Sequence, residues 1–405
     1  MFLITPAKLY SDEALESFLI RLCEVNGFES FQLLSGAMRD YLIDTDHQAA
    51  GALPRELCQI NLYHAKHSSG FRMRAFELLD SLFDSDARPL VKQALLRSAV
   101  TFSPNLSSVF RNGIHVPLCF ARDGYTPVCS KCLQESPYIR QYWQFQPYQA
   151  CHSHGIDLLF NCPSCQVALD YQKSEQITHC VCGFDLRDAS PREASADNIA
   201  LSRLVAEGEK LDVQSITSWL GALLWFTRNY KGMIAESECG EPDFSRAVEY
   251  FASWPHSLEK ELKEVADGAE LKLVKAFNHS DFSEVFGDLV SSARKLPSSD
   301  LRQNFILKAI IEFLHELVHD NPKSKVANIG DLKLTVPETA ALLTTSTEQV
   351  YRLYEEGYLQ SSIRFKLHSK LSPNDAVFFL RHVIELRASG MASDYSTNEV
   401  YLPSW

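Results

Sequence analysis

The spacing of cysteines and histidines between residues 129 and 182 constrains this chain more than any other feature. Cys129-x2-Cys132 is followed by Cys151-x2-His154, and Cys162-x2-Cys165 by Cys180-x-Cys182-Gly183. A pair with a two-residue spacer lets one turn place both donors about 2.3 Å from a metal ion. Tetrahedral zinc takes four such donors, so each half of the segment closes one site. The first is expected to be Cys129, Cys132, Cys151 and His154; the second is Cys162, Cys165, Cys180 and Cys182. His152 competes with His154, and His179 with Cys180 or Cys182, although the spacer favours His154. Gly183 suits a knuckle turn that needs positive φ. Protein fills every position, so two structural zinc ions per chain are expected. Each would contribute on the order of 10–16 kcal/mol to folding a stretch poor in apolar runs.

That reading presumes a reducing compartment, where clustered cysteines bind metal rather than pair as disulfides. The opening MFLITPAKLYSDE is too short in apolar residues for a signal-peptide core, and no run approaches a membrane span. Cytoplasm is the expected location, with no membrane partner. Lys+Arg is 39 and Asp+Glu 51, a net charge of −12. Chains that grip phosphate backbones non-specifically usually carry surplus cations. Protein partners are therefore expected first, and any DNA contact falls to local patches. The clearest basic stretch holds Arg88, Lys92, Arg97 and Arg111 without an acid, and reads as a solvated helix face.

Apolar periodicity predicts a mainly α chain. Residues 1–115 read as a helical, helix-turn-helix-like domain. Ser11 with Asp12-Glu13 is the expected start of a helix carrying Leu15, Phe18, Leu19 and Leu22, ended by Gly27. A second helix begins near Ser30, and FRMRAFELLDSLF and RPLVKQALLRSAV continue the one-sided pattern. Residues 116–188 form the double zinc-ribbon or knuckle region, 189–325 a helical domain, 326–388 a second helix-turn-helix-like domain, and 389–405 a tail.

The run CSKCLQESPYIRQYWQFQPYQACHSHGIDLLFNCPSCQVALDY, with Tyr142-Trp143 between the first pair and Cys-x2-His-Gly, resembles the zinc region of the TniQ family. ESFLIRLCEVNGF resembles the start of that family's domain, and the likeness spans roughly residues 10–190. Chain length and the C-terminal unit look closest to the short TniQ of type I-F CRISPR-associated transposons. The resemblance implies a targeting adaptor without catalytic activity: a head-to-tail homodimer bound to the Cascade effector with its crRNA. It also implies recruitment of the AAA+ regulator TnsC and the TnsAB transposase, with DNA met mainly through the assembled complex. The alternative is a direct site-specific DNA binder of the TnsD kind.

Near the C-terminus, LTVPETAALLTTSTEQVYRLYEEGYLQSSIRFKLHSKL reads as a helix from about Pro337, a turn at Thr344-Thr345-Ser346, and a helix over 347–356. Ala340, Leu343, Val350 and Leu353 are spaced to pack the two together, with Gly357 as C-cap. The stretch resembles excisionase-like winged helix-turn-helix domains, with SIRFKLHSKL as the wing. Such a module lays its second helix in the major groove. Here that helix carries Glu348, Glu355 and Glu356 against Arg352 alone, a sign that phosphate repels. Protein contact is therefore expected, through Glu348, Gln349, Arg352 and Glu355 on the helix and Arg364, Lys366 and Lys370 on the wing.

His315-Glu316-Leu317-Val318-His319 spells a zinc-peptidase motif, the remote alternative function. At about 100° per residue, both histidines fall beside Lys308 and Glu312, away from Ile306, Ile310, Phe313, Leu314 and Leu317. A solvated stripe is the better reading. No Gly-x4-Gly-Lys-Ser/Thr loop is present, and no enzyme activity is expected.

Overall fold

Apolar stripes set most of the secondary structure. A computed structural model describes residues 5, 7–61, 70–83, 88–111, 113–211, 213–230, 241–363 and 372–393. The helices that matter here begin with α1 (Leu15–Asn26), α2 (Phe31–Thr45), α3 (Gly70–Asp80) and α4 (Pro89–Gln93). Three strands follow, β1 (Leu96–Phe102), β2 (Leu106–Arg111) and β3 (Ile114–Pro117). Next come α5 (Ser130–Glu135), the two-residue strands β4 (Ala150–Cys151) and β5 (Ile156–Asp157), and α6 (Ala196–Leu211). The remainder holds α7 (Val213–Asn229), α8 (Phe305–Asp320), β6 (Lys333–Leu334), α9 (Val336–Leu342), α10 (Thr347–Glu355), β7 (Phe378–Phe379) and α11 (Leu380–Ser393), with shorter helices between. No helix among the described residues is long and apolar enough to cross a membrane.

The chain divides into two compact units. One comprises Met1–Val100, Leu106–Leu220 and Tyr230–Val248; the other comprises Thr101–Asn105, Gly221–Asn229 and Glu249–Trp405. In the first, Leu15, Phe18, Leu19 and Leu22 of α1 are buried with Phe31, Leu34 and Met38 of α2. Gly27 (φ 73°) ends α1 in the left-handed region, and the Phe28 N–H reaches back to the Cys23 carbonyl at 2.9 Å.

Two sequence expectations are corrected here. Ser11 does not cap α1, whose N-cap is Ala14, because Ser11 and Asp12 form a turn and Glu13 and Ala14 run extended before the helix begins. Glu13 bridges Arg140, and the Ala14 N–H donates to the Ile139 carbonyl at 2.9 Å. The helix expected over RPLVKQALLRSAV stops at Gln93, and β1 to β3 form a sheet in the order β1-β2-β3, with β2 and β3 antiparallel. From Leu96 onward Ser98 and Phe102 turn inward while Arg97 and Ala99 face out, a strand-like alternation rather than a helical stripe. The basic stretch is therefore no single helix face. Lys92 lies on α4, Arg97 on β1, and Arg111 on β2, where it donates to the Ser11 carbonyl.

In the second unit, Thr335 and Glu338 form a capping box at the start of α9, and the Ser346 hydroxyl accepts the Gln349 N–H at the start of α10. Ala340, Leu343, Val350, Leu353 and Leu359 are all buried. Gly357 (φ 83°) follows the end of α10, and the Tyr358 N–H returns to the Leu353 carbonyl at 2.9 Å. Arg387 of α11 donates to the Leu342 carbonyl and the Thr344 hydroxyl, clasping the turn between the two helices. β6 and β7 pair antiparallel beside them.

Candidate metal centres

The first centre is assembled from a helix start and a hairpin. Cys129 is the N-cap of α5, and its sulfur accepts the Cys132 N–H at 3.4 Å. Cys151 ends β4, paired with Ile156 of β5, and the turn between them closes through Gly155 (φ 66°), whose N–H donates to the Cys151 carbonyl. The turn brings His154 Nδ1 to 3.6 Å from Cys129 Sγ and to 3.3 Å from both Cys132 Sγ and Cys151 Sγ; the two latter sulfurs are 3.5 Å apart. All four donors lie within 4.8 Å of one another. A disulfide needs sulfurs at about 2.05 Å. A tetrahedron with metal–sulfur bonds of about 2.3 Å has edges of about 3.8 Å, which these separations approach.

The ring of His154 is oriented from behind. Its Nε2 lies 3.0 Å from Glu135 Oε1, so a carboxylate fixes the tautomer and leaves Nδ1 facing the sulfurs. His152 is placed elsewhere: its Nδ1 lies 2.8 Å from the Tyr148 hydroxyl and its Nε2 3.9 Å from Glu207. The structure thus brings His154, and not His152, to the three cysteines.

Two knuckles build the second centre. The Gln166 N–H closes on the Cys162 carbonyl and the Gly183 N–H on the Cys180 carbonyl, both at 2.8 Å, with φ at 58° and 87°. Cys162 Sγ lies 3.7 Å from Cys182 Sγ, and Cys165 Sγ 3.6 Å from Cys180 Sγ. His179 instead faces the Thr178 hydroxyl and Asp185. Reciprocal backbone hydrogen bonds between Val128 and Leu159, at 3.0 and 2.8 Å, tie the chain entering the first centre to the chain entering the second.

The donor sets suit a divalent cation. In the first centre hydrogen bonds from Cys129 and Cys132 hold the Cys151 thiol far down, while the Cys129 sulfur pushes the Cys132 thiol far up. In the second, the Phe184 backbone N–H leads in lowering Cys182 to about 7, and burial pushes Cys180 up to about 12. Crowded sulfurs cannot all ionise on their own, and a bound cation removes that conflict.

Behind the first centre lies a packed aromatic segment. Trp143 and Tyr148 are fully buried, and the Arg140 guanidinium sits 4.7 Å from the Tyr138 ring centroid and 5.2 Å from that of Trp143. Sequence reasoning missed the residue that organises it. Arg122 donates to the carbonyls of Trp143 and Phe145 at 2.7 Å and of Tyr148 at 3.1 Å, and pairs through two nitrogens with Glu241. Tyr125 also donates to Glu241. No local spacing joins positions so distant, so this ion pair left no sequence signal.

The other residues singled out from sequence lie apart from both centres. Glu348, Arg352 and Glu355 are exposed on α10, whereas Gln349 is buried beside Val350. Its own backbone N–H, helped by the Ser346 and Thr347 hydroxyls, lowers the Glu348 carboxyl from its ordinary value. Arg364, Lys366 and Lys370 lie outside the described residues. His315, Glu316 and His319 are exposed on α8, whose buried side carries Ile306, Ile310, Phe313, Leu314 and Val318; Leu317, expected among them, is half-buried. Among the described residues, the Cys/His/Asp/Glu groups of three or more able to hold a metal are the two centres above.

Fold and site together define a mainly helical protein with two four-donor Cys/His centres, each able to hold a metal ion. Residues 4–158 match the family model of TniQ, which supports the TniQ family for that part of the chain. The matched span contains the first centre and ends before the second. No curated protein matches the chain significantly.

Proposed function

We propose that this chain is a non-catalytic target-selection adaptor of DNA transposition, with two structural zinc ions shaping the region it uses. The observation that carries the reading is the TniQ match over residues 4–158, which encloses a complete four-donor centre. In the finer form, a homodimer docks on an RNA-guided Cascade effector and recruits the TnsC regulator, meeting DNA through the assembly. The net charge of −12 and the exposed acids of α10 support protein contact over phosphate contact.

The test reverses charge on α10 with Glu348→Lys plus Glu355→Lys. Each exposed pair contributes under about 1 kcal/mol alone, but an interface couples several. Capture by the effector complex should weaken, and non-specific DNA binding should strengthen, while the fold is kept at a small loss of stability from the start of α10. Intact partner capture with loss of sequence-specific DNA binding would instead favour a direct reader of DNA. Such a reader would also show a steep salt dependence, with a slope near about −0.9 per phosphate contacted.

A further inference from the structure

The two centres differ in what covers them. Cys129, Cys132 and Cys151 are 0%, 2% and 1% exposed, within the buried cluster that also holds Trp143 and Tyr148. In the second centre Cys162 and Cys180 are buried, but Cys165 is half-exposed and Cys182 is exposed. The tips of both knuckles face outward, with Val167 51% and Val181 69% exposed. A small oxidant therefore reaches one centre and not the other.

We propose that the second centre is an oxidative modification site, with Cys182 the sulfur attacked first and Cys162 the sulfur that resolves it. The proposal rests on the zinc reading above. With hydrogen peroxide, the Cys182 thiolate attacks one oxygen and the O–O bond breaks. Hydroxide leaves and takes up a proton as water, and Cys182 becomes a sulfenic acid. Cys162 Sγ, 3.7 Å away, then attacks that sulfur. The S–O bond breaks, and a second hydroxide departs and is protonated to water. Two thiolates, one peroxide and two protons thus give one disulfide and two waters, with two electrons passing from sulfur to oxygen. Cys165 and Cys180 alone are too few ligands for a tetrahedral ion, so the metal leaves and the knuckles loosen.

The test uses the full-length protein loaded with zinc, in a Cys119→Ser background that removes an exposed cysteine outside both centres. Metal content is measured first; a value near zero overturns the zinc reading itself. Hydrogen peroxide is then titrated in while a chromogenic chelator reports released zinc and peptide mapping locates oxidised sulfurs. One zinc equivalent should be released about tenfold faster than the other. A Cys162–Cys182 disulfide should accompany it, and dithiothreitol with added zinc should restore the centre. Release of both equivalents at one rate, or first oxidation at Cys129, Cys132 or Cys151, overturns the proposal.

Discussion

The metal region and the α9–α10 pair reach order by opposite routes. Between Cys129 and Leu186 the regular elements are a six-residue helix, strands of two residues and single turns, and eight donors at set separations stand beside a buried aromatic segment. In α9 and α10 the capping residues and a buried stripe of Ala340, Leu343, Val350 and Leu353 suffice. Where ligands make the fold, the identity of a few residues is fixed and their neighbours are passive. Where a stripe makes it, the opposite face is left free to vary.

Metal removal is the largest way to break this comparison. Stripping with a strong chelator should cost the metal region on the order of 10–16 kcal/mol per ion. Limited proteolysis should then cut within 129–188 while the α9–α10 segment stays protected; equal cutting of both would dissolve the distinction. A pH series sharpens it, because the core behind the metal region keeps a buried carboxyl. Burial raises Glu16 to about 7 from 4.5, against hydrogen bonding that includes Gln144 and the charge of Arg72. Between those values the folded chain holds a proton that the unfolded chain has released. Stability from Glu16 is thus fully present below the unfolded value and lost as pH climbs through about 7, by on the order of 3 kcal/mol. Glu16→Gln should flatten that dependence in urea midpoints measured at pH 5 and pH 8; an unaltered slope would contradict the assignment. The smallest effect belongs to Ser346→Ala. Losing the α10 cap should cost about 1 kcal/mol in thermal unfolding. Metal content should stay the same, and a drop in bound zinc would show that the two regions are not independent.

Ligand spacing made the eight donors legible, because close pairs of soft donors have few other uses. Choosing between His152 and His154 needed coordinates as well, since only the fold shows which ring turns toward the sulfurs and which toward Tyr148. The α9–α10 pair was legible because caps and stripe agree at every position. Gln349 was misjudged as a surface residue because it is polar, yet it sits one position before Val350 on the buried side. The β1–β3 sheet was hidden by RPLVKQALLRSAV, whose first half is helical and whose second half alternates. His315-Glu316-x-x-His319 shows the converse: helical phase alone set both histidines of a literal motif on the polar side, and the structure leaves them exposed on α8.

The Arg122–Glu241 pair also sets an order of events during synthesis. The two residues are 119 positions apart, and both side chains are essentially sealed from solvent. At roughly 5–20 residues per second, a ribosome delivers Glu241 some 6–24 s after Arg122. Until then the guanidinium has only carbonyl oxygens to meet, and a buried cation without its counter-charge is strongly destabilising. The buried surroundings of Arg122 are therefore still incomplete when the TniQ-matched stretch emerges. The carboxylate that completes them lies more than eighty residues beyond the end of that stretch.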